Sequence, residues 1–273
     1  MNRRSLILSS LAVALLGFAY AHAEDPEEQA EAGWVSLFNG RDLTGWTPKI
    51  TGYPLGENFA DTFRVRDGVL AVDYAGYEQF DNRFGHLFYE QPFSHYRLQL
   101  EYRFLGEQVP GGPGWAIRNS GVMFHCPDPK TMRLDQEFPV SLEAQVLGGD
   151  GQHPRTTGNV CTPGTHLHLE GQKVTRHCTS AHSETFHGPQ WVQLEIEVHG
   201  DRLVRHKING QVVLEYTQLE LDPMDPDARR LLDSGAPLSV GSGLIALQSE
   251  SHPVEFRAIR VMELDPASDT QSP

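Results

Sequence analysis

The sequence predicts an all-β protein, a sandwich or barrel of antiparallel strands. Three observations predict it. Apolar and polar residues alternate through segment after segment, which is the period of a half-buried strand. Gly- and Pro-rich turns punctuate those segments. No long stretch repeats apolar residues at the 3.6-residue period of a helix.

The first strand candidate is Trp34-Val-Ser-Leu-Phe38, which runs into the turn pair Asn39-Gly40. Thr62 to Val65 and Val69 to Val72 flank Asp67-Gly68, a strand–turn–strand pattern. In His95 to Phe104, Tyr96, Leu98, Leu100, Tyr102 and Phe104 form the face to be buried. Ser141 to Leu147 alternates Leu142, Ala144 and Val146 with Ser141, Glu143 and Gln145. Gln193 to His199 continues an alternation that buries Val192, Leu194, Ile196 and Val198. Asn209-Gly210 joins Leu203–Ile208 to Gln211–Tyr216, the strongest hairpin signal in the chain. Gly243 to Gln248 and Val254 to Leu264 complete the set. Asp225 to Asp233 is the best place for a short helix. Two inserts interrupt the strands: Gly106 to Ile117, and Gly148 to His187, which holds six histidines. Connections of this length usually carry function or are tied down.

Residues 1–23 read as a signal peptide. Arg3 and Arg4 precede the apolar run Leu6 to Phe18, and Ala21-His22-Ala23 fits a small-x-small cleavage site. The run is short for a membrane span, and no later segment is long and apolar enough for one. The expected mature chain starts near Glu24 and is exported, to the periplasm or beyond. Residues 24–33 form an acidic, disordered linker, residues 34–264 one domain, and residues 265–273 a disordered tail. The formal net charge is −14, and loss of Arg3 and Arg4 takes it to −16. Such a surface repels phosphate backbones, and no basic cluster offsets it, so nucleic acid is excluded as a partner.

The cysteines are Cys126, Cys161 and Cys178. Export permits a disulfide, and Cys161 with Cys178 is the natural pair, leaving Cys126 free. The rival is a metal cluster, because His166, His168 and His177 crowd the same stretch, although the spacing matches no common zinc pattern.

The polar face of the Ser141–Leu147 strand offers a carboxylate and an amide that point the same way. Glu and Gln are poor strand formers, which suggests a task for Glu143 and Gln145. The competing reading is a solvated strand face.

Several segments, in order, resemble one family: Leu37-Phe-Asn-Gly-Arg-Asp-Leu-Thr-Gly-Trp46, Asp67-Gly-Val-Leu70, Asn119-Ser-Gly-Val122, Leu142-Glu-Ala-Gln-Val-Leu147, Ile208-Asn-Gly210, and Leu244-Ile-Ala-Leu-Gln248 with Pro253-Val-Glu-Phe-Arg257. Together they are similar to the 3-keto-disaccharide hydrolase family, also described as 3-keto-glucoside 1,2-lyases and 3-keto-2-hydroxyglucal hydratases. The resemblance implies a concanavalin-like jelly roll of two antiparallel sheets, with long loops over a concave, ligand-facing sheet. It also implies a sugar substrate oxidised to a ketone at C3. This sequence departs from the pattern at His125, where the family leads one to expect Arg, and at Ser249-Glu-Ser-His252.

A C3 ketone acidifies the C2 hydrogen. A base can remove it, the C1 substituent then leaves, and water added to the enone completes a net hydrolysis. An ordinary glycosidase instead needs two carboxylates flanking the bond. Glu143-Ala-Gln145-Val-Leu-Gly148 lacks the further carboxylates of jelly-roll glucanases, so one-base elimination fits better. Glu143 and His125, expected on adjacent strands, are the catalytic candidates. Arg118, Asn119, Gln145, His153, Trp115 and Gln248 are the candidates for holding the sugar, with Glu250 and His252 at the rim. Any cofactor is left open, a single divalent metal ion being one option. The oligomeric state is also open. The alternative function is a non-catalytic carbohydrate-binding module on the same fold.

Overall fold

A computed structural model describes residues 32–266. The signal peptide, nearly all of the expected acidic linker and residues 267–273 of the expected tail lie outside the described residues. From Gly33 onward the described chain forms one compact unit. In chain order the strands are β1 (Val35–Ser36), β2 (Trp46–Ile50), β3 (Phe63–Arg66), β4 (Val69–Val72), β5 (Gly85–Tyr89), β6 (His95–Phe104), β7 (Asn119–Cys126), β8 (Leu142–Leu147), β9 (Asn159–Cys161), β10 (Thr165–Leu169), β11 (Gln172–Val174), β12 (Cys178–Thr179), β13 (Val192–His199), β14 (Leu203–Ile208), β15 (Gln211–Leu221), β16 (Leu244–Ser249) and β17 (Val254–Glu263). Among the described residues there is one α-helix, α1 (Pro226–Asp233), which follows β15, and the Asp225 carboxylate caps it by accepting from the backbone N–H of Asp227 and Ala228.

The strands form two antiparallel sheets. The first runs β11-β10-β15-β14-β13-β6-β17-β4-β3, with β1 also on β17. The second runs β12-β9-β8-β7-β16-β5-β2. Their inner faces supply one core, as expected of a sandwich. Tyr96, Leu98, Leu100, Tyr102 and Phe104 of β6 are all buried there, as their alternation predicts. Leu142, Ala144 and Val146 of β8 meet them from the second sheet. The Asn209-Gly210 turn has φ of 47° and 80°, the positive values a two-residue hairpin of this hand requires. Asp67-Gly68 does the same between β3 and β4.

The outer face of the first sheet is closed by ion pairs, such as Glu195 with Arg97 and Lys207 at 2.9 Å each. The outer face of the second sheet carries the site. Part of that face, around His86 and Phe88, lies under the segment 127–140, held by Lys49 Nζ and the Gly52 N–H, which both donate to the Leu134 carbonyl.

The insert Gly148 to His187 is more ordered than a long loop. It contains β9 and β12, which extend the second sheet, and β10 and β11, which extend the first. Cys178 pairs directly across from Cys161, and their sulfurs form the expected disulfide, with Cys126 free and buried. Among the described residues no helix is long and apolar enough to cross a membrane.

Candidate active site

On β8 the period of two sends Glu143 and Gln145 to the face opposite the core. They open into a cleft of about 420 Å³, within the range for small-ligand sites. Asn119 from β7, Arg155 from the insert and Glu250, just past β16, complete its polar lining. Trp115, Phe138, Leu147, Pro163, His177 and the Cys161–Cys178 pair supply the rest.

Glu143 sits opposite Met123 on β7 and Cys161 on β9. Its carboxyl leans over Gly121, where a Cβ would collide with it. That glycine is therefore required by close approach, since it clears the space through which Glu143 reaches across β7 toward β16. Glu143 is 5% exposed, and its Oε1 has no hydrogen-bond partner. Burial without a cation raises its pKa from 4.5 to about 8.

Glu250 is 3% exposed, with its Oε2 equally unpartnered. Burial and the charge of Glu143 push its pKa well above the ordinary carboxylate value, against a smaller opposing pull from Arg155. Two neighbouring buried carboxyls resist joint ionisation, so the pair favours its protonated forms at neutral pH. The backbone after Glu250 is fixed in an uncommon conformation. Ser251 has φ of 85°, its N–H donates to the Tyr74 hydroxyl at 2.7 Å, and its Oγ accepts from Gln108 Nε2 at 2.7 Å.

Arg155 binds the cleft together. Its guanidinium donates to the carbonyls of Trp115 at 3.3 Å, Gly148 at 3.0 Å and Ile117. Gln145 Oε1 accepts from Asn159 Nδ2 at 3.1 Å, which leaves the Gln145 Nε2 as the group it can offer a ligand. Asn119 is 3% exposed, and its Oδ1 is unpartnered.

Beside the cleft, across the same sheet, runs a buried polar row. Gln248 on β16 pairs across from His86 on β5, and His86 from Lys49 on β2. Neither the Gln248 amide nor the His86 ring has a partner among the described residues. Burial, with the Lys49 charge beside it, lowers the His86 pKa to about 3, so the ring is neutral.

The other expected residues are placed differently. His125 lies on the strand beside Glu143 but does not share its face. It has φ of 55° at a bulge where β7 shifts register against β16. The bulge turns the ring toward the other sheet, where Nε2 donates to the Gly200 carbonyl at 3.1 Å and the ring packs edge-on to Tyr96. Burial lowers its pKa to about 4. The expectation that His125 lines the site with Glu143 is corrected accordingly. His153 is exposed, pairs with Asp150 at 2.6 Å and is not part of the cleft lining. Arg118 does not line the cleft either. Its guanidinium donates to the Gly149 carbonyl, and its charge helps burial lower the His252 pKa to about 4. Trp115, Asn119, Gln145 and Glu143 do converge, while Gln248, level with Gly121 on the same face of the sheet, is not part of the cleft lining.

Sequence reasoning missed Arg155 and His86 and underrated Glu250. Arg155 lies in an insert without periodicity, and His86 lies on a strand that is apolar on both faces. The pattern Gln248-Ser-Glu250 did carry a signal, since it repeats the outward polar spacing of Glu143-Ala-Gln145.

A divalent ion at Glu143 would need converging ligand atoms. Among the described residues, the group of three or more His, Cys, Asp and Glu with ligand atoms within 4.8 Å is Cys161, His177 and Cys178. Its sulfurs are joined to each other. These residues do not fit a metal, and no step below passes through one.

Comparison with known proteins bears on this geometry. The model of the 3-keto-alpha-glucoside-1,2-lyase-like domain family matches residues 33–262. Two crystal structures from Parabacteroides distasonis, both provisionally named glycosyl hydrolases, share the fold. One is 20% identical with a TM-score of 0.51, over 88% of this chain and 98% of its own. The other is 19% identical with a TM-score of 0.50, over 85% and 99%. At such identity the likeness concerns the fold alone. No curated protein matches the sequence.

Proposed function

The chain belongs to the 3-keto-alpha-glucoside-1,2-lyase-like family of carbohydrate-active jelly-roll domains, and from that premise we propose that it is an exported enzyme cleaving 3-keto-glycosides by elimination and rehydration. The observation that carries the reading is Glu143, a buried carboxyl with an unpartnered oxygen and a pKa of about 8 at the floor of the cleft. A general base works best with a pKa near the working pH.

The reaction follows from the chemistry of the ketone. Glu143 takes the C2 proton, and the electron pair moves onto the C3 oxygen. The Gln145 and Asn119 amides and the Arg155 guanidinium are donors in the lining able to stabilise that charge. The pair then returns to form the C1–C2 double bond as the C1–O bond breaks. Glu250, the second buried carboxyl in the lining, is the acid that can protonate the departing oxygen. Water added at C1, with a proton returned at C2, gives the free 3-keto sugar. Two neighbouring carboxyls that resist joint ionisation can thus divide the acid and base roles.

The test compares a 3-keto-glucoside with its unoxidised parent. Only the ketone should be cleaved, and Glu143→Gln should lower its kcat at least a hundredfold. Equal cleavage of the parent would return the site to ordinary hydrolysis. The exposed Trp115 ring favours a second reading, a carbohydrate-binding module. That reading gains if neither compound reacts while sugars still bind and Glu143→Gln leaves binding intact.

A further inference from the structure

Resting on the elimination reading above, we infer that the cleft selects 3-keto-glycosides whose leaving group is a flat aromatic alcohol, with Trp115 as the residue that recognises it.

The leaving group is bonded to C1, next to the C2 whose proton goes to Glu143. It must therefore lie in the same cleft, beside the carboxyl. The polar lining, Asn119, Glu143, Gln145, Arg155 and Glu250, is what a polyhydroxylated sugar needs. The remainder of the lining is apolar: Trp115, Phe138, Leu147, Pro163 and the Cys161–Cys178 bridge, with His177 as the polar exception. A second sugar placed there would bury hydroxyls without enough partners, at the usual cost of unpaired polar groups. An aromatic ring would lose nothing and gain contact.

Trp115 is built for that contact. The residue is 54% exposed, an unusual state for so large an apolar ring. It is nonetheless fixed. One side stacks on Phe84, with centroids 5.8 Å apart and planes 11° from parallel. Phe84 is itself buried and lies 5.0 Å from Phe138. The Trp115 carbonyl is held by Arg155, so the residue that shapes the polar lining also sets the position of the platform. A rigid aromatic face presented at low entropy cost is how proteins bind planar groups. The proposed step is balanced: the C2 proton passes to Glu143, the C1–O bond breaks, and a phenol departs with a proton from Glu250.

The experiment measures kcat/KM for phenyl and methyl 3-keto-β-glucosides and for both α anomers, in the wild type, Trp115→Ala and Trp115→Phe. Working with the ratio of phenyl to methyl within each anomer cancels the intrinsic ease of losing phenol when variants are compared. Trp115→Ala should lower the ratio about tenfold, and Trp115→Phe should keep most of it. An unchanged ratio in Trp115→Ala, with both substrates turned over, overturns the inference and leaves the elimination reading standing. If no 3-keto-glycoside is cleaved by the wild type, the elimination reading itself fails and the inference falls with it.

Discussion

Glu143 works as proposed only if its carboxyl is buried, unpartnered and free to reach across β7. Each condition has a consequence that can be measured. Burial places its pKa at about 8. A base must be ionised to act, so kcat/KM for a 3-keto-glucoside should rise as pH increases through about 8. The residual activity of Glu143→Gln should lack that limb. A pH–rate profile of both proteins checks it. Reach depends on Gly121, where a methyl would meet the carboxyl. Gly121→Ala should lower kcat by about tenfold or more while the protein remains folded, because displacement of a catalytic group by about 1 Å is costly. Circular dichroism with steady-state kinetics separates that outcome from simple unfolding. At this scale much of the site was legible. Glu143 and Gln145 stood out because a carboxylate and an amide interrupt a strand whose other face is apolar. His125 was misread because a one-residue bulge reverses a face, and nothing in Asn119-Ser-Gly-Val-Met-Phe-His125 announces the bulge.

Among the elements, strands with one solvated or polar face were readable, and strands covered on both sides were not. β6, β8 and β13 alternate cleanly and match their expected limits closely. β5 is buried at His86, Leu87 and Phe88 in succession, because the segment 127–140 covers its outer face, so it shows no period of two. The short strands β9 to β12 are set by pairing with existing edges rather than by their own pattern. Among these, β12 is held to β9 by two residues of ladder and the disulfide. The bridge closes a loop with a sequence separation of 17. Its loss should cost about 3 kcal/mol by the chain-entropy account. Cys161→Ser with Cys178→Ser should therefore lower the Tm by several degrees and, since both cysteines line the cleft, raise KM more than it lowers kcat. Thermal unfolding and steady-state kinetics on the double variant check both parts.

For the molecule as a whole, function and stability pull against each other. Glu143 has a folded pKa of about 8 against an unfolded value near 4.5. The folded state therefore binds the proton more tightly. Its contribution to stability is fully present below about pH 4.5 and is lost as pH rises through about 8. Above that, an ionised carboxyl is buried beside Glu250 with no hydrogen-bond partner on its Oε1. Glu143→Gln removes the burden, so it should raise the Tm at pH 9 by more than at pH 5, by a difference on the order of a few kcal/mol in stability. Calorimetry at the two pH values decides it; an equal shift at both would place the Glu143 carboxyl in contact with water or a cation. The two-sheet architecture was legible at this scale because strands of period two, β6, β8 and β13 among them, recur along the chain from Trp34 to Leu264. The pairing of the two carboxyls was not, because Glu250 and Glu143 are separated by more than a hundred positions and meet only once β7 and β16 pair.

The central claim is that Glu143 removes a proton from C2 of a 3-keto sugar. It is tested most directly by a 3-keto-glucoside carrying deuterium at C2. The wild-type enzyme should cleave it more slowly than the protiated compound and release the label to water, while Glu143→Gln should do neither at a comparable rate. Cleavage with the deuterium retained in the product would contradict the account.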